Sequence, residues 1–198
     1  MASAAANTLP APSAFTTLLT ITSAKSPSDA LPLEILRNLR HQHSWSDLHF
    51  HPSPASGLDL AALDTFLIST SSSTIPPPTL LCPAAVSLLS GIPPQPLYVH
   101  PDLQTHLISH NLLPTSLAPQ VEFVLPASLG GKWSLRKLAA VFDCLPPRHP
   151  IQGVGGYVHL DAKRILLGMI SREGKGGGGD GTVVYYLVQE GDVKPRQN

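Results

Sequence analysis

Charge is what this chain has least of. Only 13% of its 198 residues are charged, and the formal net charge is zero. A neutral chain exerts no overall pull on nucleic acid or an anionic membrane, so any RNA contact must come from a local patch. Long hydrophobic runs are also missing. No stretch approaches the roughly 18 unbroken apolar residues of a membrane-spanning helix. Cysteine is nearly absent. Cys82 and Cys144 stand far apart, and two isolated thiols read as reduced core residues of an intracellular protein rather than as a disulfide. The first 28 residues hold no acid and a single base, Lys25. They lack the arginines of a mitochondrial transit peptide, the first being Arg37, and the apolar run from Phe15 to Ile21 is broken by threonines, unlike a secretory leader. A disordered tail over residues 1–27 is the expectation.

Proline and glycine are plentiful, at 21 and 15 residues. They concentrate in a Pro/Ser-rich stretch over residues 52–82 and in the Gly-rich REGKGGGGDG near the end. The first reads as a variable insertion and the second, over 172–181, as a flexible loop. What remains makes a single domain over 28–198. Leu31, Ile35, Leu36 and Leu39 fall at helical spacing, with Pro32 expected in the first turn. Strands are expected near 86–89, 97–100 and 121–125, the last ending at Pro126, with a short helix over 102–113. KWSLRKLAAVFDCL carries the clearest helix. Leu135, Leu138, Ala139 and Phe142 make one apolar stripe, and Ser134 is a plausible N-cap. KRILLGMIS and TVVYYLVQ then read as two strands of a hairpin. The class is α/β (α+β), a small mixed sheet flanked by helices.

The last strand raises a question. Val183, Tyr185 and Leu187 point one way and Val184, Tyr186 and Val188 the other, yet both sets are apolar. A strand half in water alternates apolar and polar residues. Either the second face is covered by a partner or both faces lie inside one domain.

Chemistry is hard to find. HQH (41–43) and HFH (49–51) place imidazoles two apart, which a helix points in different directions, and no cysteine completes a zinc site. His106 and His110 share a face but have no third ligand in the sequence. No metal and no cofactor is expected. GVGG lacks the Lys–Ser/Thr ending of a phosphate loop, and the glycine run precedes no helix. Lys132, Arg136 and Lys137 form a small basic cluster, read either as phosphate contacts or as a solvated helix face.

Four strings are more specific: LRHQHSW, SGIPPQPLYVHPD, VEFVLP followed by KWSLRKLAAVFD, and TVVYYLVQEGDVKPRQN. Together they resemble the fungal form of the smallest subunit of the tRNA-splicing endonuclease, over roughly residues 30–50 and 86–198. The resemblance implies the small α/β domain of the tRNA-intron endonuclease family. It also implies a non-catalytic structural subunit. Such a subunit pairs with the catalytic subunit that cuts the three-prime splice site, and a second pair completes a four-subunit enzyme. Catalytic members use a Tyr, His and Lys triad without metal. In LYVHP, His100 stands where that Tyr is expected, with Tyr98 two residues before it. VEFVLP is preceded by Ala118, Pro119 and Gln120 rather than His, and only Lys163 matches. One residue of three cannot supply both a general base and a general acid.

In this family paired subunits join through their C-terminal strands. The resemblance therefore assigns Val184, Tyr186, Val188 and Val193 to a partner interface, and Glu173 and Asp180 to a loop docking onto the second pair. Lys132, Arg136, Lys137 and Lys163 are the candidate RNA contacts. The expected partners are the catalytic subunit, the second subunit pair, and precursor tRNA through the complex, with a homodimer when the chain is alone. The expected location is the nucleus, or alternatively the cytosolic face of mitochondria. Competing readings are a self-associating scaffold and a catalytic endoribonuclease using His100 and Lys163.

Overall fold

The computed structural model describes residues 13–68, 80, 86–128, 131–170 and 182–191. Order begins earlier than the sequence implies. Helix α1 (Ala14–Ile21) is capped by Ser13, whose hydroxyl accepts the Thr16 amide at 3.1 Å. Leu18 is buried in the main core, with Phe15 and Leu19 packed against it. Within the tail expected over 1–27, Ala14–Ile21 thus form a helix. Threonines disguise it, since they are poor helix formers. Here Thr17, Thr20 and Thr22 donate their hydroxyls to carbonyls one turn back, at 2.8–3.2 Å. That leaves the apolar side free to pack.

Helix α2 (Pro27–His41) starts at Ser26, whose hydroxyl accepts the Asp29 amide, with Pro27 as its first residue. Pro32 therefore lies inside the helix rather than in its first turn. Leu33, Ile35, Leu36 and Leu39 are buried. The next strand, β1 (Ser46–His51), has only a short sequence signature, Leu48 and Phe50 alternating with Asp47, His49 and His51. Helix α3 (Leu60–Ile68) lies inside the stretch read as an insertion. It buries Leu63 and Leu67 against the same core.

Strand β2 (Leu88–Ile92) precedes a segment through Leu97–His100 that runs irregularly rather than as the expected strand. Instead, His100 caps helix α4 (Pro101–Ser109), its Nδ1 accepting the Asp102 amide at 3.2 Å. Strand β3 (Glu122–Ser128) continues through Pro126. Its pairing with β2 covers only Glu122–Val124, so a missing N–H at Pro126 costs no bond to that neighbour.

Helix α5 (Leu135–Cys144) is capped by Ser134, as expected, but turned from the expected face. Leu135 is 87% exposed, and Ala139 is exposed too. Val141, Phe142 and Leu145 are buried, with Leu138 packed beside them. Both stripes contain Leu138 and Phe142, so spacing alone does not separate them. Burying Val141 and Leu145 in place of Ala139 and Leu135 removes more bulk from water at the sheet.

A two-stranded ribbon of β4 (Ile151–Gln152) and β5 (Val158–His159) follows, then β6 (Arg164–Ile170) and β7 (Val183–Gln189). The main sheet has the order β1-β2-β3-β6-β7. Its pairs are antiparallel except β3–β6, which are parallel and joined by a crossover through α5. One face carries α1, α2 and α3; the other carries α5. The α/β class with a mixed, helix-flanked sheet is what the sequence implied. So is the β6–β7 hairpin. Its Gly-rich connection lies outside the described residues.

Candidate partner interface

Strand β7 ends the sheet, so among the described residues one whole side of it has no neighbouring strand. Its register with β6 is unbroken from Val183 opposite Ile170 to Gln189 opposite Arg164. Directly opposed residues share a face. On the α2 side, Val183 and Tyr185 pack on the core. The Tyr185 hydroxyl donates to Asn38 Oδ1 at 2.7 Å, and burial pushes its pKa up. On the α5 side, Val188 opposes the buried Ile165 and packs into the second core. Val184 and Tyr186 are 41% and 54% exposed, and they oppose Met169 and Leu167.

The two apolar faces are therefore not both internal. Nor do the three candidate residues act alike: Val184 and Tyr186 face water, while Val188 is half-buried in its own domain. Leu167 and Met169, both half-buried, extend the apolar surface; in the sequence they read as core. Their register opposite β7 is what places them there. Val193, Glu173 and Asp180 lie outside the described residues.

The other sheet edge differs. Strand β1 carries a register shift between Ser46 and His49, with Asp47 at φ 47°, and Pro52 follows it. A bulge, a left-handed non-glycine residue and a proline blunt an edge against pairing. Strand β7 has none of these within its span.

The triad candidates each have a separate partner. Lys163 Nζ donates to the Phe142 carbonyl at 3.0 Å, closing the end of α5. His100 caps α4 and lies against His159, ring centroids 4.8 Å apart. The Tyr98 ring lies 5.6 Å from the Arg164 guanidinium. Around Arg164 is a cluster that sequence reasoning missed. Arg148 donates two hydrogen bonds to Glu122 at 3.0 Å, and Arg164 donates to both Glu122 and Asp161. His159 Nε2 meets Asp161 Oδ1 at 3.0 Å. Burial works against the charge on Arg164, but its bonds to Glu122 and the nearby Asp161 outweigh it and hold the guanidinium above its ordinary pKa. The charges balance, two acids against two guanidiniums, and all four side chains are nearly enclosed. The cluster is a structural clamp joining β3, β6 and the loop after α5. Only Glu122, an acid inside an apolar strand, hints at it.

Of the basic candidates, Lys132 and Arg136 are exposed, and Lys137 lies 4.6 Å from the Trp133 ring centre. Among the described residues no group of three or more His, Cys, Asp or Glu is arranged to hold a metal ion. Nor is any helix there long and apolar enough to cross a membrane.

Comparison with known proteins gives this geometry a context. The family model described as "Sen15 protein" matches residues 34–198. A Neurospora crassa protein named "Probable tRNA-splicing endonuclease subunit tsp-1" is 31% identical over 196 residues, covering 92% of this chain and 72% of the relative. With most of its length matched by that model, the chain belongs to the Sen15 protein family.

Proposed function

We propose that the chain is a non-catalytic subunit of a tRNA-splicing endonuclease, pairing through β7 with the subunit that cuts the three-prime splice site. The relative's name supports the enzyme. The open, regular edge of β7 beside exposed Val184 and Tyr186 carries the pairing. An unpaired strand edge next to an apolar face exposes backbone donors and acceptors that a second strand satisfies. The non-catalytic role is supported by Lys163, which is engaged by the Phe142 carbonyl, and by the lack of a histidine before β3. A second pair would complete the assembly, with Glu173 and Asp180 as its contacts. The nucleus is the proposed place of work, with the mitochondrial surface as the alternative that imaging of the tagged chain would decide.

The test is native mass spectrometry of the chain co-expressed with the catalytic subunit of the same organism. A 1:1 complex is expected. Val184→Asp and Tyr186→Asp should abolish it while the circular dichroism of the isolated chain stays unchanged. Val188→Asp should instead impair folding, because that residue packs within its own domain. A chain that remains alone or forms only its own dimer beside a folded catalytic subunit would overturn the pairing.

A further inference from the structure

A cavity of about 490 Å³ opens where the start of α2, the loop after β1, the approach to β2 and the start of α5 converge. Its lining is rich in hydrogen-bond donors. The hydroxyl of Ser87 accepts the Ser53 amide at 3.1 Å. The hydroxyls of Ser53 and Ser56 accept the amides of Ala55 and Leu58 at 3.3 and 3.5 Å. Each oxygen is used as an acceptor, and among the described residues none of these three O–H groups donates to an acceptor. Lys132 and Lys137 add two ammonium groups. Lys137 is held in place over the Trp133 ring. Among the described residues the one acid in the lining is Asp29, which already accepts the Ser26 hydroxyl at 2.7 Å.

A concave site with two cations and several spare donors is matched to an anion with several oxygens. Its size suits a nucleotide unit rather than a single small ion. We infer that this cavity holds a phosphodiester of single-stranded RNA, gripped by Lys132 and Lys137, with the serine hydroxyls on the phosphate and ribose oxygens. The surrounding chain is neutral overall, so this patch would give a docked RNA strand its register without drawing in nucleic acid generally. Only the choice of RNA as the ligand rests on the proposed splicing role.

The test uses the isolated full chain labelled with ¹⁵N and a short single-stranded RNA oligonucleotide. Trp133 and Trp45 are the only tryptophans, and Trp45 is buried in the core. Adding RNA should move the Trp133 indole N–H resonance and leave that of Trp45 in place. The double variant Lys132→Gln/Lys137→Gln should keep a dispersed spectrum and weaken binding about tenfold. Its log–log salt slope should shrink by roughly 0.7 for each phosphate no longer neutralised. Lys137→Arg, which keeps the charge and the stacking on the ring, should retain binding. An unmoved Trp133, or unchanged affinity in the double variant, overturns the site. Binding of 5′-AMP as tight as that of the oligonucleotide makes it a free-nucleotide pocket and overturns the RNA assignment. Failure to join the catalytic subunit is read separately by mass spectrometry. It would remove the splicing role while this titration still stands or falls by itself.

Discussion

Glu122 shows what a single side chain does in this molecule. It is 2% exposed and bonded to two guanidiniums. Breaking a buried pair is costly because it strands the remaining charge. Glu122→Ala should therefore lower stability by about 3–5 kcal/mol, measured by urea denaturation. His51 works in the opposite sense. It is buried against Ser90, with its Nε2 2.8 Å from that hydroxyl. Burial, with a smaller push from His49, lowers its pKa from 6.5 to about 4. Between those values the unfolded chain binds more protons than the folded one. The contribution is complete above pH 6.5 and is lost as pH falls toward 4. The full loss is about 3 kcal/mol, and urea midpoints at neutral and mildly acidic pH should differ less in His51→Gln than in the parent.

At the scale of elements, periodicity locates helices well and faces less well. Helix α5 is the clear case: its existence and N-cap are legible in the sequence, but its expected stripe is one step off because two stripes share Leu138 and Phe142. Leu135→Ser should change stability by less than about 0.5 kcal/mol, and Phe142→Ala should cost about 3–5 kcal/mol, by thermal or urea unfolding. Helix α1 is illegible because its threonines spend their hydroxyls on the helix's own carbonyls, which composition does not show. Leu18→Ala should cost about 2–5 kcal/mol, a loss that a disordered tail would not produce. Strand β1 escapes notice for a different reason: Asp47, Leu48, His49, Phe50 and His51 do alternate polar with apolar, but only two apolar residues carry the pattern, and His51 is buried with a hydrogen bond that only the folded register supplies.

For the whole molecule, the order of strands decides what is available. The two apolar sets of the last strand are visible in the sequence, but not which members face water. That depends on β7 ending the sheet and on α5 covering Val188 but not Tyr186. The ionic clamp is illegible because its members come from three separate stretches, with Glu122 and Arg164 42 residues apart. The Ser- and Lys-lined cavity is half visible: its lysines, Lys132 and Lys137, stand close together in the sequence, whereas Ser53, Ser56 and Ser87 meet them only after folding.

The parallel step from β3 to β6 has one more consequence, for the chain as it is made. From β2 onward, each strand of the sheet is added outside the one before it, in sequence order. The sticky rim therefore travels during synthesis, from β3 to β6 and only then to β7. A chain stalled before β7 exposes the rim of RILLGMI, an apolar, uncharged run after its first residue and a ready template for aggregation. A finished chain covers that rim with its own β7 and offers β7 instead. The pairing proposed for β7 would then be open only to chains that have added this last strand.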